Sequence, residues 1–439
     1  MTKKRIYKRR RASEMRKSGV SHFRAEELIY APFNTLRLRR GIYLDYAATT
    51  PVHPLVKKEM DLYWTKEFGN PGGLYKEGVA AQKAIFQSRE GIARALGARS
   101  QEIFFTSGGT EANSLAIFGL VEDLLEKRLF LHELHFITST IEHPSVLECF
   151  KALQKKGASV SYVGVTEEGA LKLSELKKEL KNNTVLVSVM YANNEMGAIQ
   201  PIAEIAKAIR QHRKNGAVDA RLGSIHAPFP FFHTDASQVL LFEKLDVKKY
   251  GVDMVTIDGH KIYGPKGIGA LYVKNGVPLS PIFHGGSQER GLRPGTESVP
   301  LIVGLAKAVE LAGKRRVKES ARLRTLRDYF IEKLLELPGV VLSGGMEYRL
   351  PNNVNISIPG MDNEWVVLQL DAKGISVGTK SACLSKKERG SYVVAALGKN
   401  KAISESTIRF SLGNATTKRD IQYVLAVLKD IVRGARMIV

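Results

Sequence analysis

Short apolar segments that end in polar turns recur between residues 100 and 275, and segments with helical spacing separate them. The apolar segments have the length of buried strands, whereas residues 80–97 repeat apolar side chains at helical intervals and end on Gly97, a common helix stop. Strands that alternate with helices are typical of a mostly parallel α/β sheet. Because ligands of such sheets bind beyond the carboxyl ends of the strands, the polar turns are where we expect the site.

The length of the chain leaves room for more than one domain. It has 439 residues, of which 44% are hydrophobic and 25% are charged, enough for about two or three domains. We predict a basic extension at 1–40, a large α/β domain at 41–300 and a smaller α+β domain at 301–439. Residues 41–55 are expected to contribute to the smaller domain. The sequence has no apolar run of membrane-spanning length, so no membrane span is expected.

Positive charge is concentrated at the beginning of the sequence. The net charge is +22, and residues 1–40 carry +10 of it, from thirteen Lys or Arg against three Glu. Such an arm suits contact with a polyanion such as RNA, and it equally suits a disordered solubilising tail. A mitochondrial transit peptide is a third interpretation, but Glu14, Glu26 and Glu27 weigh against it.

The two cysteines, Cys149 and Cys383, do not suggest a disulfide scaffold. A reducing compartment is therefore expected, the cytoplasm first and the mitochondrial matrix as the alternative. Cys149 lies in the apolar stretch "VLECF" and is predicted to be structural. Cys383 lies in "GTKSACLSKKERG", a polar stretch predicted to be a mobile, exposed loop, where Lys380, Lys386 and Lys387 would favour the thiolate.

Polar side chains follow successive predicted strands, and together they suit one cofactor. Each of them alone is compatible with a solvated loop. Pyridoxal phosphate needs a lysine for a Schiff base and a carboxylate to hold its ring nitrogen protonated, which Lys261 and Asp235 would supply. His143 would lie over the ring, and the turn 108–110, before a helix, would cradle the phosphate. The sequence therefore predicts a pyridoxal phosphate site.

The chain also resembles the cysteine desulfurases, pyridoxal phosphate-dependent enzymes related to the class V aminotransferases. The matching stretches run in the family order from residue 42 to 413: "YLDYAATTPV", "FGNP", "FTSGGTEANSLAI", "EHPSVLE", "VSVMYANNEMGAIQPI", "HTDASQ", "DGHKIYGPKGIGALYV", "HGGSQERGLRPGT", "SAC" and "STIRFSLG". The resemblance implies the fold type I transferase architecture, with a seven-stranded, mostly parallel central sheet. It also implies a homodimer with active sites at the subunit interface.

The resemblance further implies a role for each candidate site residue. Lys261 would form the cofactor Schiff base, His143 would stack on the ring and act in acid–base catalysis, and Asp235 would contact the pyridine nitrogen. Gln238 would contact the phenolic oxygen, Asn194 would contact cofactor and substrate, and Arg409 would bind the substrate carboxylate. The cofactor phosphate would be contacted by Gly109, Thr110 and His260, and Thr296 would contact the phosphate of the partner subunit. Asp258 would also lie at the phosphate, at a position where the family usually has serine.

Cys383 would be the nucleophile that takes sulfur from L-cysteine as a persulfide. The length of its loop resembles that of the group I enzymes, which pass sulfur to protein acceptors. Iron–sulfur cluster assembly, tRNA thiolation and cofactor biosynthesis are all open as destinations. The alternatives are another class V enzyme, such as a selenocysteine lyase or an aminotransferase, and a non-catalytic RNA-associated binding protein.

Overall fold

The structure, a computed structural model, describes residues 41–215, 228–379 and 390–436. The basic extension at 1–40 and the Cys383 loop lie outside the described residues. The strands are β1 (Ile42–Tyr43), β2 (Ile103–Thr106), β3 (His135–Ser139), β4 (Ser159–Val163), β5 (Thr184–Ser188), β6 (Phe231–Asp235), β7 (Met254–Asp258), β8 (Gly269–Val273), β9 (Val341–Leu342), β10 (Asn353–Ser357), β11 (Ile375–Ser376) and β12 (Thr407–Ser411). The helices are α1 (Pro54–Thr65), α2 (Lys76–Leu96), α3 (Gly109–Glu126), α4 (Pro144–Lys155), α5 (Leu173–Glu179), α6 (Ile202–Lys214), α7 (Val247–Tyr250), α8 (Val299–Leu335), α9 (Asn363–Asp371), α10 (Tyr392–Ala396), α11 (Lys401–Glu405) and α12 (Lys418–Arg436).

A seven-stranded sheet forms the centre of the fold, in the order β2-β8-β7-β6-β5-β3-β4. The pairs from β7 through β6, β5 and β3 to β4 are parallel, whereas β8 is antiparallel to both of its neighbours. The predicted α/β class with a mostly parallel sheet is confirmed. The apolar pattern of "GALYV" predicts a buried strand but does not tell whether it runs parallel or antiparallel to its neighbours. The antiparallel direction of β8 is therefore visible only in the structure.

Helices bury the sheet on both faces, which is why its strands are apolar at consecutive positions. Every residue of β3, β5, β6, β7 and β8 is buried. Phe136 and Phe231 pack with α3 and α4 in one core cluster, whereas their chain neighbours Ile137 and Phe232 belong to a second cluster with α2 and α8. Successive side chains of a strand point to opposite faces, so each strand supplies both cores.

Two smaller sheets involve the C-terminal part of the chain. β10 pairs antiparallel with both β12 and β9, and β1 pairs parallel with β11, with Ile42 opposite Ile375. The pattern of residues 301–337 predicts one long helix, and α8 is a single helix of 37 residues. The division into domains at residue 300 stays a prediction.

Two segment boundaries differ from the sequence prediction. The sequence predicts a loop insertion at 215–232, and residues 216–227 of it lie outside the described residues. β6 begins at Phe231, so the last two positions are buried strand residues. Their apolar pattern continues without a break into the strand. The apolar pattern also predicts a strand over roughly 252–257, and the strand β7 lies at Met254–Asp258 instead. None of the helices in the described part of the chain has both the length and the apolar content that a bilayer crossing requires.

Candidate active site

A cavity of about 180 Å³ lies where β6 and β7 end and where α3 begins. Asp235 is the last residue of β6, Asp258 is the last residue of β7, and His143 is the residue before α4. The lining residues are Ala47, Ala48, Gly109, Thr110, His143, Ser145, Met190, Ala192, Asn194, Asp235, Ser237, Gln238, Asp258, His260, Lys261 and Arg409. The parallel strands bring these distant positions to one edge of the sheet.

Lys261 lies in the short helical turn after β7, and its amine reaches the turn after β1. Lys261 Nζ donates to the carbonyl oxygens of Ala47 at 2.8 Å and Ala48 at 2.7 Å. Gln238 Nε2 also donates to the oxygen of Ala47, at 3.1 Å. The predicted Schiff-base lysine is therefore held inside the cavity by backbone carbonyls from a segment more than 200 positions away.

Asp235 is buried and accepts hydrogen bonds from two neighbours. Its Oδ1 accepts from the Ser237 backbone N–H at 2.9 Å and from Ser237 Oγ at 2.6 Å. Its Oδ2 accepts from Asn113 Nδ2 at 2.8 Å, and the same amide group donates to Ser145 Oγ at 2.8 Å. Asn113 thus connects the carboxylate on β6 to the residue that contacts His143.

Most of the predicted site residues meet in this cavity. Gly109, Thr110, His143, Asn194, Asp235, Gln238, Asp258, His260, Lys261 and Arg409 all line it. Thr296 is exposed and is not among the lining residues. Cys383 lies outside the described residues. The roles of all these residues stay predictions.

Comparison with known proteins places the chain in a family. The class-V aminotransferase family matches residues 42–424. "Cysteine desulfurase IscS" of Dictyoglomus turgidum is 42% identical over 402 residues, which span 91% of this chain and 97% of that protein. "Cysteine desulfurase, mitosomal" of Trachipleistophora hominis is 38% identical and is covered to 87%, over 90% of this chain. The chain belongs to the cysteine desulfurases of the class-V aminotransferase family. Among solved structures, a "NifS-like protein" superimposes with a TM-score of 0.80 at 34% identity, covering 90% of this chain and 99% of that one.

Cysteine desulfurases use pyridoxal 5′-phosphate, and the cavity suits that group. Lys261 would supply the amine for a Schiff base, and Asp235 would supply a carboxylate for the ring nitrogen. At the end of the cavity where α3 begins, Gly109 is the first helix residue, and backbone N–H groups at such a position favour a phosphate. A Cβ at Gly109 would stand 3.0 Å from Asp258 Oδ2 and 3.2 Å from Ser237 Oγ, so glycine keeps this end of the cavity open.

The surroundings of His143 fix which of its ring nitrogens carries the proton. The backbone N–H of Ser145 donates to His143 Nδ1 at 3.2 Å, so Nδ1 is an acceptor and the neutral ring carries its proton on Nε2. Ser145 Oγ lies 2.8 Å from Nδ1 and, since it accepts from Asn113, its own O–H points at the ring. Burial lowers the pKa of His143, although the charge of Asp235 opposes the shift. At neutral pH, the imidazole of His143 in this cysteine desulfurase is therefore neutral, with its proton on Nε2.

Replacing Ser145 with alanine should raise the pKa of His143. The hydrogen bond from the Ser145 hydroxyl stabilises the neutral ring of His143, and the alanine variant lacks it. A bond worth about 1 kcal/mol corresponds to roughly 0.7 pKa units. A nitrogen NMR titration of His143 measures the shift directly. Ser145→Thr keeps the hydroxyl and should restore the original value. An unchanged pKa in the alanine variant would contradict this role for the hydroxyl.

Arg409 is buried beside the cavity and is held in place by two contacts. Its Nη1 donates to the carbonyl oxygen of Asn194 at 3.0 Å, and its Nη2 pairs with Asp45 Oδ1 at 2.8 Å. Its Nε is buried and has no hydrogen-bond partner among the described residues. Because Arg409 also lines the cavity, its guanidinium suits a ligand that brings an acceptor, as the carboxylate of an amino acid would.

The sequence reasoning missed four residues of this site: Asp45, Asn113, Ser145 and Ser237. Asn113 follows Thr110 by three positions and so shares its helix face, which was an available signal. Ser145 stands two positions after His143, where a side chain at the start of a helix commonly bonds nearby groups. Asp45 is 364 positions from Arg409, and no local pattern links the two.

Proposed function

We propose that this cysteine desulfurase converts L-cysteine into L-alanine and transfers the sulfur to Cys383 as a persulfide. The observation that carries the proposal is the joint placement of Lys261, Asp235 and Arg409 around one cavity. An amine, a carboxylate and a buried guanidinium are the groups that pyridoxal phosphate chemistry on an amino acid requires. The three lysines and the polar residues that flank Cys383 in "KSACLSKK" favour its thiolate form.

The proposed sulfur transfer is balanced without an external oxidant. The Cys383 thiolate attacks the substrate sulfur, a sulfur–sulfur bond forms and the carbon–sulfur bond of the substrate breaks. The substrate carbon is reduced and gains a proton to become the methyl group of alanine, while the transferred sulfur is oxidised to the sulfane level. Pyridoxal phosphate, when bound, supplies the electron sink for this chemistry.

The protein's own residues would bind the substrate and move its protons. Arg409 would bind the carboxylate, because its guanidinium is buried and already oriented by Asp45 and Asn194. Lys261 would exchange protons with the substrate once its amine is released. His143 would donate from Nε2, the nitrogen that carries the proton in the neutral ring.

We include a homodimer in the proposal. Large apolar side chains are exposed on α1, on α2 and on the segment between them: Trp64 (53%), Phe68 (70%), Leu74 (97%), Tyr75 (57%) and Phe86 (54%). Exposed apolar side chains grouped in this way mark protein–protein contacts, and a second copy of the chain is the common partner. Thr296 would then face the cofactor phosphate of the partner subunit.

Replacing both Phe68 and Leu74 with aspartate should therefore convert the protein to monomers. Buried charge at an apolar interface opposes association strongly. Sedimentation equilibrium of the full chain measures the change. Leu368→Asp is the matched control, because Leu368 is also exposed, at 65%, but belongs to α9 and not to α1, α2 or the segment between them. Dimers that persist in the double variant would contradict the interface.

The destination of the sulfur and the cellular compartment are finer parts of the proposal. The acceptor would be a protein, either a scaffold for iron–sulfur clusters or a sulfur carrier for tRNA thiolation. The basic extension at 1–40 would contact RNA through its net charge of +10. We propose the cytoplasm as the compartment, with the mitochondrial matrix as the alternative.

The products formed from L-cysteine test the proposed reaction. The full chain, incubated with pyridoxal phosphate, L-cysteine and a thiol reductant, should release alanine and sulfide in equal amounts. Pyruvate and ammonia in place of alanine would indicate an elimination and would contradict the proposal. A strong preference for L-selenocysteine over L-cysteine would favour the selenocysteine lyase alternative instead.

A further inference from the structure

A carboxylate already occupies one hydrogen-bond donor at the start of α3. Asp258 Oδ2 accepts from the backbone N–H of Gly109, the first residue of that helix, at 2.8 Å. Asp258 is only 7% exposed and ends β7, so the strand directs it into the cavity. We propose that Asp258 competes with the phosphate of the cofactor for this helix terminus, and thereby weakens cofactor binding. This inference rests on the pyridoxal phosphate chemistry of the proposed function.

The Asp258 side chain is an anion in this setting. Burial alone would raise its pKa, but hydrogen bonds from His260 and Gly109 and the charge of Lys261 hold the pKa below the usual value. His260 contributes twice, since its backbone N–H donates to Oδ1 at 3.0 Å and its Nε2 lies 3.3 Å from the same oxygen. A carboxylate with these partners stays charged at neutral pH.

A bound phosphate and this carboxylate would need the same partners. Helix N-terminal N–H groups and the helix dipole favour one anion, and Asp258 supplies it from within the chain. His260, which also lines the cavity, is paired with Asp258 as well. The phosphate must therefore displace the carboxylate from Gly109 or bind beside a like charge. Either path costs binding energy that a ligand without a phosphate does not lose.

Two ligands that differ only in the phosphate separate the effect of Asp258 on phosphate binding from every other contact of the cofactor. The apo form of the full chain is titrated with pyridoxal 5′-phosphate and, separately, with pyridoxal, which lacks the phosphate, and absorbance reports binding. In Asp258→Asn and Asp258→Ser, affinity for pyridoxal phosphate should rise by about tenfold or more, because the like charge is gone. Affinity for pyridoxal should change by less than about twofold.

Two controls separate the charge effect from a structural one. Asp258→Asn keeps a side-chain oxygen for the N–H of Gly109, so its melting temperature should match that of the wild type. Asp246→Asn removes the same charge from the N-cap of α7, outside the cavity lining, and should leave both affinities unchanged. An unchanged ratio of the two affinities in the Asp258 variants would overturn the inference and leave the proposed function standing.

Inorganic phosphate provides a second test that needs no Schiff base. Millimolar phosphate should raise the melting temperature of Asp258→Ser and have little effect on the wild type, since only the variant offers the free helix terminus. Equal shifts in the two proteins would overturn the inference. If pyridoxal phosphate binds to none of the proteins, the proposed function fails together with this inference.

Discussion

Lys261→Ala is expected to lose desulfurase activity on L-cysteine by a factor of about 10³ or more, since a positioned acid–base group alone contributes about 10² to 10⁴. In the proposed mechanism, the variant would lose both the amine that holds the cofactor and the group that moves protons to and from the substrate. The amine lies within the cavity, at 2.8 Å from the oxygen of Ala47, and the next lysine of the same loop does not line it. Alanine formation by the purified full chain measures the loss.

Lys266→Ala is the matched control for that variant. Lys266 lies five positions later in the same turn, is exposed and does not line the cavity. It should therefore keep the wild-type rate and the visible absorbance of the lysine-bound cofactor. More than about one tenth of the wild-type rate in Lys261→Ala would contradict the assignment of Lys261, given the size of acid–base contributions.

Cys383→Ser is expected to abolish the persulfide and to reduce sulfide release to the background rate. The reason is chemical, because an alkoxide from serine is not available at neutral pH, whereas a thiolate beside lysines is. Mass spectrometry after a single exposure to L-cysteine should show a gain of about 32 Da, one sulfur atom, on the peptide that contains Cys383 of the wild type. The same peptide of the serine variant should show no gain.

Cys149→Ala provides the control within the same chain, since the sequence has two cysteines. Cys149 is buried on α4, and burial raises the pKa of its thiol, which disfavours the reactive thiolate. The alanine variant should therefore keep both the sulfur adduct and the activity. An adduct found on the Cys149 peptide, or full sulfide release by Cys383→Ser, would refute the proposed nucleophile.

Much of the cavity could be predicted before the structure, because of how parallel sheets are built. Asp235 ends one strand that the apolar pattern marks out and Lys261 follows the next, and parallel neighbours end at the same edge. His143 stands between a strand and a proline-started helix, a position that the sequence shows directly. The resemblance then gave Arg409 and Thr296, which no local pattern connects to the cavity.

The partners of these residues could not be predicted, because they depend on distances between distant segments. Asp45 orients Arg409 across 364 positions, and Asn113 links Asp235, 122 positions away, to Ser145, 32 positions away. The resemblance marks Asp258 as an unusual residue near a phosphate, where the family usually has serine. Its bond to Gly109, 149 positions away, is visible only after folding.

The sequence by itself determined the fold class and the edge of the sheet that carries the site, since periodicity and turn chemistry are local properties of the chain. The tertiary structure alone decided the direction of β8, the proton position on His143 and the partner of Asp258. Each of those depends on which backbone donors and acceptors come within about 3 Å, and hydrogen bonds of that length require a side-by-side placement that local patterns do not encode.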